Sequence, residues 1–504
     1  MASKAPFPRP ASLGLLCLGA MGFSGCRAAD ASSTQPNIVV ISVDGLRLDR
    51  TGFGGGPHPS TPNLDALVAD SIWFPKGFSQ SNESLLSHAS LFTGRHPLEV
   101  SVPDYLRYVL GPEQLTFPEV LKQVGYDTGA SLASGHVGAE FGFNQGFDMF
   151  YEADRWGSFQ DTVPVALSWL ESRKGTDTPF ALFLHGYDCH RPYLEPGPFY
   201  HPFDADAADD PVHDLLGSFN KTERIIDGVY YPDLRLDRIW HSTGSRILDP
   251  HAYSRDRALG MDNGQPLSPR SLDHMKAHYD SGVLLADTFL GMFFEGLDVL
   301  GEWDNTVIIV VSDHGEDLQD HGFTNHRAVV QDTTTRVPWI VGGGAIPASA
   351  RGSTHDALAD AVDLMPTLTD IAGTVAPANT RGRSLWPAVQ GARPQPKPIV
   401  FQTGVVGQVS ARTPTHRLVF GGTPLDHPLY AERLRDTPLS DPAFALYDTA
   451  TDPLETNDVK AREAELAEGL RQKLLAWYVG QDRSETSQTL TEAQKKALQD
   501  GGYW

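Results

Sequence analysis

The stretch that decides the fold reads Val307-Ile-Ile-Val-Val-Ser-Asp-His-Gly-Glu316. Its first half is an unbroken β-branched run, which is typical of a strand buried on both faces of a parallel sheet. The run stops at Asp313 and His314, just before a glycine that permits a sharp turn. A polar loop without a function, placed after a strand, would show the same sequence pattern. In open α/β sheets, however, ligands bind outside the carboxyl ends of the strands, which favours a functional site here.

A second buried strand ends in the same way. The segment Asn37-Ile-Val-Val-Ile-Ser-Val43 is equally apolar and is followed directly by Asp44 and Gly45. Two such strands would each deliver a carboxylate to one edge of the sheet, with the imidazole of His314 beside them. Carboxylate and imidazole groups are ligands for divalent cations. The sequence therefore predicts a divalent-metal site at this edge.

The composition is that of a folded globular protein. The 504 residues are 40% hydrophobic and 20% charged, enough for one large domain and a smaller one. The formal net charge of −23, without a Lys/Arg cluster, excludes a nucleic-acid backbone as partner. Of the three cysteines, only Cys189 lies in the body of the chain, so no disulfide is expected within that body.

The first residues have the pattern of an export signal. Lys4 and Arg9 precede a short apolar run at 13–23, and small residues follow before Cys26. The cysteine directly after Phe-Ser-Gly resembles a bacterial lipobox, although an ordinary signal peptide with a coincidental cysteine would read similarly. We expect a lipoprotein signal at 1–26 and a tether at 27–36. The protein would then be an exported cell-envelope lipoprotein that meets the membrane only through its N-terminal lipid.

Strands and helices alternate along the rest of the chain, which predicts an α/β fold with a large, mostly parallel (mixed) central sheet flanked by helices. We expect a catalytic domain at 37–390, containing a variable rim or lid at 197–275, and a small α+β subdomain at 391–504. Helices are predicted at 61–70, 116–124, 162–172, 278–300, 357–372 and 461–477, and further strands at 128–133, 180–184, 336–341, 398–402 and 418–420. Ser84 should begin another helix, where backbone N–H groups and the helix dipole favour an anion.

A series of short motifs extends over almost the whole chain. They are Pro36-Asn-Ile-Val-Val-Ile-Ser-Val-Asp-Gly-Leu-Arg47, Thr61-Pro-Asn-Leu-Asp65, Ser87-His-Ala-Ser-Leu-Phe-Thr-Gly94, Asp188-Cys-His-Arg-Pro-Tyr193, Ser312-Asp-His-Gly-Glu316, Arg336-Val-Pro338 and Leu446-Tyr-Asp-Thr-Ala-Thr-Asp-Pro-Leu-Glu455. In this order they resemble the sulfatases and their relatives in the alkaline phosphatase superfamily. Only residues 197–275 lie outside the resemblance, which implies an alkaline phosphatase-like fold.

The resemblance also implies roles for individual residues. It places Asp44, Asp313 and His314 at the ligand positions of one divalent metal ion, and Ser84 at the position of the nucleophile that attacks the ester. A serine hydroxyl needs a metal or a base to activate it, so the two assignments support each other.

Three further residues are assigned to the substrate by the same resemblance. His190 falls where the family has a histidine serving the leaving group or the substrate oxygens. His326 or Arg327 falls where it has a cation contacting the anion. A histidine that donates a proton suits an ester oxygen that must leave as alkoxide or phenoxide.

The chain departs from the sulfatase pattern around the nucleophile and the metal. Typical sulfatases have Cys or Ser followed by x-Pro-x-Arg, and the first residue is oxidised to formylglycine. Leu86 and His88 replace the proline and arginine here, which predicts an unmodified Ser84. Gly45 replaces a second aspartate, and His314 stands where many sulfatases have asparagine, which favours Mn²⁺ or Zn²⁺ over Ca²⁺.

We therefore expect a metal-dependent, sulfatase-like hydrolase that cleaves sulfate monoesters, with one ion of Ca, Mg, Mn or Zn. The substrate would be an anionic ester, either a small molecule or a glycan. A phosphoric ester hydrolase or phosphotransferase that uses unmodified Ser84 is the first alternative. The second is a catalytically silent lipoprotein that binds an anionic glycan.

Overall fold

The computed structural model describes residues 35–100, 110–153, 157–190, 193, 202–203, 269–323, 326–422, 425 and 427–482. The predicted signal at 1–26 lies outside these residues, as do the tether up to residue 34 and most of the predicted rim at 197–275. Within the described ranges, no helix combines the length and the apolar character needed to cross a membrane.

The strands of the described residues lie in three sheets. In chain order they are β1 Asn37–Val43, β2 Ile72–Trp73, β3 Gly77–Phe78, β4 Asp127–Leu132, β5 Met149–Glu152, β6 Phe180–Gly186, β7 Thr306–Val311, β8 Trp339–Gly342, β9 Ser353–Thr354, β10 Ala359–Asp360, β11 Val400–Gly404, β12 Gln408–Arg412, β13 His416–Phe420 and β14 Phe444–Asp448.

The α-helices cover the sheets. In chain order they are α1 Pro62–Ala69, α2 Ser84–Thr93, α3 Pro97–Val100, α4 Phe117–Gln123, α5 Phe159–Ser172, α6 Pro269–Leu300, α7 Asp332–Thr335, α8 Leu364–Ile371, α9 Trp386–Val389, α10 Tyr430–Asp436 and α11 Ala464–Val479. Short 3₁₀ turns are found at Leu48–Arg50, Gly135–Val137, Ala139–Phe141, Trp303–Asn305, Ala348–Ala350 and Ala361–Asp363.

The central sheet confirms the predicted fold class. Among the described residues it has eight strands in the order β5-β4-β6-β1-β7-β8-β2-β9. β1 pairs in parallel with β6 on one side and with β7 on the other, whereas β8 runs antiparallel to β7 and to β2. The sheet is therefore mixed but mostly parallel, and β1, β6 and β7 end at the same edge.

β1 is buried on both faces. Ile38 and Val40 pack into the hydrophobic cluster on one side of the sheet, and Val39, Ile41 and Val43 into the cluster on the other. Successive side chains of a strand point to opposite faces, so an uninterrupted apolar run suits only a strand covered on both sides. The same alternation holds for β7. It determines where, at the edge of the sheet, the residue that follows each strand lies.

The prediction of a helix at 357–372 is wrong in its first half. Residues Ala359–Asp360 form strand β10, a 3₁₀ turn follows, and α8 begins only at Leu364. The reason is Pro366, which lacks a backbone N–H and would break a helix that began at residue 357. In the observed helix it lies in the first turn, where that N–H has no partner to lose.

The helix predicted at 278–300 is longer than expected. α6 begins at Pro269 and extends to Leu300. His274, His278 and Asp280 are polar but buried, so they interrupt the apolar periodicity from which the helix start was predicted.

The C-terminal part has its own antiparallel sheet, in the order β11-β12-β13-β14. α10 and α11 pack against it around a separate hydrophobic cluster that includes Leu418, Phe444 and Leu470. The sequences of strand β12 and helix α10 show no clear hydrophobic periodicity, and neither element was predicted. The domain boundary near residue 390 stays a prediction.

A buried ion-pair network joins this sheet to helix α7. Arg417 of β13 has no solvent exposure, and it pairs with Asp332 at the start of α7 and with Glu455, its Nε lying 2.7 Å from Glu455 Oε1. Arg412 Nη2 lies 3.1 Å from the second oxygen of Asp332. Because the network is buried, each charge depends on its partners.

Replacing Arg417 with methionine is expected to destabilise the protein by about 3–5 kcal/mol, because two buried carboxylates lose a shared cation. The measurement is the free energy of unfolding in urea. Arg435→Met is the matched control, since Arg435 pairs with Asp436 at the surface and should leave the unfolding midpoint unchanged. Equal midpoints for the two variants would contradict the importance of the network.

Candidate active site and metal centre

The site lies where β1, β6 and β7 end. Asp44 directly follows β1, and His185 is the last but one residue of β6. Asp313 is separated from the end of β7 by one residue, Ser312. In the register between β1 and β7, Ser42 is opposite Val311, so the two aspartates lie at the same level of neighbouring strands. Asp44, Asp313 and His314 all have zero solvent exposure.

The two carboxylates are poorly satisfied by the protein. Asp313 Oδ1 accepts hydrogen bonds from the backbone N–H of Gly45 at 3.1 Å and of His314 at 2.9 Å. In the described part of the chain, Asp313 Oδ2 and both oxygens of Asp44 have no hydrogen-bond partner. Burial raises the pKa of Asp44, and the neighbouring Asp313 carboxylate raises it further. Orphaned buried carboxylate oxygens are the groups that a cation would satisfy.

His314 completes the set of ligands. Its Nδ1 lies 3.0 Å from the carbonyl oxygen of Gly315, which can only accept, so Nδ1 carries the proton. In the neutral ring Nε2 then offers a lone pair, and it lies 3.3 Å from Asp313 Oδ2 and 3.8 Å from Asp44 Oδ1. Two carboxylates and one imidazole nitrogen at these distances fit a single divalent cation of the Mn²⁺ or Zn²⁺ type.

Ser84 is the first residue of α2, as predicted, and is buried. Its Oγ lies 3.0 Å from His314 Nε2. Because His314 Nδ1 carries the proton, Nε2 accepts the hydrogen bond from the serine hydroxyl in the metal-free protein. A cation bound through the same lone pair would replace this hydrogen bond and would leave Ser84 Oγ next to the cation. The residue assigned as nucleophile therefore lies beside all three residues assigned as metal ligands.

Glu83 caps α2 and was not predicted as a site residue. Its Oε2 accepts from the backbone N–H of Leu85 at 3.0 Å and of Leu86 at 3.4 Å. The expectation that these N–H groups are available to a bound anion is therefore wrong. The finding also accounts for Leu86, because a proline at this position would have no N–H to donate.

The same carboxylate gathers two cationic side chains. Glu83 Oε1 lies 3.0 Å from His136 Nδ1 and 3.3 Å from Arg327 Nη2. Burial opposes the ionisation of Glu83, but His136 and Arg327 outweigh it and lower its pKa to about 2. Arg327 thus lies at the start of α2, next to the nucleophile.

His88 occupies the position of the sulfatase arginine. Its Nδ1 donates to the Ser84 carbonyl oxygen at 2.8 Å, and its Nε2 accepts from Ser42 Oγ at 2.9 Å. It lies 3.6 Å from Asp313 Oδ2, close enough to be grouped with the metal ligands. The His88 nitrogen nearest Asp313 is Nδ1, which carries the proton donated to the Ser84 carbonyl oxygen and has no lone pair for a cation. We therefore assign His88 to positioning α2 rather than to the metal.

His185 is a further residue that sequence reasoning did not assign. It is fully buried, and its Nε2 lies 3.6 Å from Asp44 Oδ2. Its position at the end of β6 was a usable signal, because the same rule identified Asp44 and Asp313.

His190 and His326 lie together on the other side of His314. The rings of His326 and His314 stack with centroids 4.0 Å apart, and those of His190 and His326 are 5.1 Å apart. His326 Nδ1 lies 2.9 Å from Glu316 Oε1, and Tyr193 donates to Glu316 Oε2 at 2.9 Å. His326 therefore contacts Glu316, whereas Arg327 contacts Glu83.

Gly45 explains another departure from the sulfatase pattern. Its φ of +74° is in the left-handed region that favours glycine. A Cβ at this position would also lie 3.3 Å from the carbonyl oxygen of Cys189, in the segment that carries His190. An aspartate here would strain the backbone and crowd that segment.

Comparison with known proteins identifies the family and agrees with the fold. The sequence profile of the sulfatase family matches residues 36–374. An N-acetylglucosamine-6-O-sulfatase of Bacteroides thetaiotaomicron is 26% identical over 431 residues, covering 75% of each chain. The multifunctional alkaline phosphatase superfamily protein PehA of Trinickia caryophylli is 26% identical over 429 residues, covering 72% of this chain and 78% of that protein.

Solved structures show the same fold. The structure of BT4656 in complex with its substrate D-glucosamine-2-N,6-O-disulfate superposes with a TM-score of 0.67 at 22% identity, covering 90% of this chain and 100% of that chain. The protein belongs to the sulfatase family, within the alkaline phosphatase-like fold. It is a sulfatase-like hydrolase of ester bonds, as the sequence predicted.

Proposed function

We propose that the protein hydrolyses sulfate monoesters of sugars in a metal-dependent reaction with Ser84 as the nucleophile. The observation that carries the proposal is the 3.0 Å contact between Ser84 Oγ and His314 Nε2, beside the buried carboxylates of Asp44 and Asp313.

Asp44, Asp313 and His314 would hold one divalent cation. When bound, such a cation favours the alkoxide of an adjacent serine and polarises the ester oxygen. His314 Nδ1 donates to Gly315, which fixes the ring with Nε2 towards Ser84. Asp313 is held in turn by the backbone N–H groups of Gly45 and His314. The protein thus orients the nucleophile before substrate arrives.

The anionic group of the ester would be bound on the Arg327 side of Ser84. Arg327 and His136 both contact Glu83, the residue directly before the nucleophile. A guanidinium presents several donors in one plane, which suits the oxygens of a sulfate or phosphate group. The leaving oxygen would then be served by His190 and His326, whose rings lie next to His314.

A sugar substrate is supported by relatives. A relative that is 26% identical, with 75% of each chain covered, is an N-acetylglucosamine-6-O-sulfatase. The test is release of sulfate from N-acetylglucosamine 6-sulfate by the purified protein, compared with the unsulfated sugar as blank. No release under any metal would overturn the sugar assignment.

A phosphate ester is the second candidate, and His88 with Leu86 favours it. They stand where the residues required for formylglycine are expected, and both have other structural partners. An unmodified serine forms a stable ester, which phosphoryl chemistry tolerates better than sulfuryl chemistry. Rates on 4-nitrophenyl sulfate and 4-nitrophenyl phosphate, each with Mg²⁺, Ca²⁺, Mn²⁺ and Zn²⁺, decide between the two. A higher kcat/KM on the phosphate would replace the sulfate proposal.

The protein is also proposed to be a lipoprotein of the cell envelope, on the basis of Cys26 after its apolar segment. Replacing Cys26 with alanine is expected to move the protein from the membrane fraction to the soluble fraction, because one lipidated terminus is its only proposed membrane attachment. Immunoblots of fractionated host cells measure this. Cys17→Ala, within the apolar run, is the control and should stay with membranes; equal fractionation of both variants would refute the anchor.

A further inference from the structure

We propose that His190, Glu316 and His326 hold a second divalent cation next to the first. One ligand atom from each of the three side chains lies within 4.8 Å of the other two. Glu316 and His326 are buried, and His190 is half-buried, so the group is open to solvent on one side only. The role of this cation in the reaction rests on the proposed function, but its binding does not.

The donor set suits a transition metal. Two imidazoles and one carboxylate are a common ligand set for Zn²⁺, with a remaining position for water or substrate. Zn–N and Zn–O distances of about 2.0–2.2 Å place neighbouring ligand atoms roughly 3–3.5 Å apart. The 2.9 Å separation of His326 Nδ1 and Glu316 Oε1 is close to this range.

The carboxylate of Glu316 is fixed by a hydrogen bond from outside the proposed site. Tyr193 donates its hydroxyl to Glu316 Oε2 at 2.9 Å, which leaves Oε1 directed at the histidines. Outer hydrogen bonds of this kind orient metal ligands and preserve their geometry. Tyr193 is itself buried and packs against Tyr279 of α6, so the carboxylate cannot turn away easily.

The second group is adjacent to the first. The rings of His314 and His326 stack with an interplanar angle of 22° and centroids 4.0 Å apart. Two cations held on either side of this stacked pair would form one centre, as in two-metal enzymes.

The charges of the site also favour a second cation. Asp44, Asp313 and Glu316 are three buried carboxylates, whereas His136 and Arg327 both contact a fourth, Glu83. Divalent cations held by the first three would offset their negative charge and would favour the approach of an anionic ester.

The competing explanation is a hydrogen-bonded pair without metal. Glu316 would then accept from His326 Nδ1–H and merely orient that ring as a proton donor. The two explanations differ in the number of bound ions. They differ also in the effect of removing His190, which contributes nothing to a Glu316–His326 pair.

Metal counting tests the proposal. Tag-free full-length protein is stripped with a chelator, incubated with Zn²⁺, passed through gel filtration and measured by inductively coupled plasma mass spectrometry. Wild type should retain two equivalents, and both Glu316→Gln and His190→Ala should retain one. Asp287→Asn is the matched control: Asp287 is a buried carboxylate that bonds the backbone of α1, and this variant should retain two.

Circular dichroism of each stripped variant confirms that it is folded, and the half-buried His190 can be replaced without emptying the core. One equivalent in wild type, or two in both His190→Ala and Glu316→Gln, would overturn the second site in favour of the hydrogen-bonded pair. Two equivalents in a protein that releases no sulfate would overturn the proposed function while supporting this inference.

Discussion

Replacing Ser84 with alanine is expected to lower kcat/KM on the ester substrate by at least about 10³-fold, because the variant has no group to form the covalent intermediate. The metal ligands are not altered, so the Zn²⁺ content of the variant should equal that of wild type. Steady-state rates and metal analysis of the same preparation measure both quantities. Residual activity within a factor of about ten of wild type would remove Ser84 from the mechanism.

Ser90→Ala is the matched control for this variant. Ser90 lies on the same helix, is equally buried, and its Oγ has no hydrogen-bond partner in the described part of the chain. It should keep wild-type activity. Mass analysis of the Ser84 peptide from the native host completes the test, since loss of two hydrogens would mean formylglycine and would exclude attack by the serine itself.

Replacing Asp313 with alanine is expected to remove the cation of the first site and to abolish measurable turnover. Asp44 and His314 would remain, and two ligands hold a divalent ion far less specifically than three. Because a bound ion stabilises the folded state by mass action, a chelator should lower the unfolding temperature of wild type more than that of the variant. Differential scanning calorimetry with and without chelator measures this difference.

Asp317→Asn is the control for Asp313. Asp317 is equally buried in the same loop, but its carboxylate bonds His321 and the backbone N–H of Phe323. Its replacement should preserve metal content. If Asp313→Ala keeps the wild-type content as well, the ligand assignment is wrong.

The sequence was sufficient to predict the strands that carry the site. The runs Ile38–Ile41 in β1 and Val307–Val311 in β7 are β-branched at every position, a pattern typical of strands buried on both faces. Once they are placed side by side, the rule on strand ends leads to Asp44 and Asp313 without further information. The helix start at Ser84 was equally accessible, and the family resemblance supplied its role.

The remaining residues depend on tertiary packing that no local pattern records. Glu316 acquires its surroundings from Tyr193, which is distant in sequence. Glu83 precedes the nucleophile, but its importance comes from His136 and Arg327, each brought to it by another loop. His88 gave a partial signal, since it is four residues after Ser84 on one helix face and bonds the Ser84 carbonyl.

The arrangement of the central sheet has a consequence for how the enzyme matures. Asn37–Val43, Phe180–Gly186 and Thr306–Val311 are far apart in the chain, yet they pair as neighbours and share one edge. Parallel pairing between such distant segments forms slowly, because long loops must close first. A nascent chain therefore cannot assemble the complete site until β7 has been synthesised and has paired with β1. In refolding, hydrolysis should return only with the final slow phase, well after helical signal has recovered.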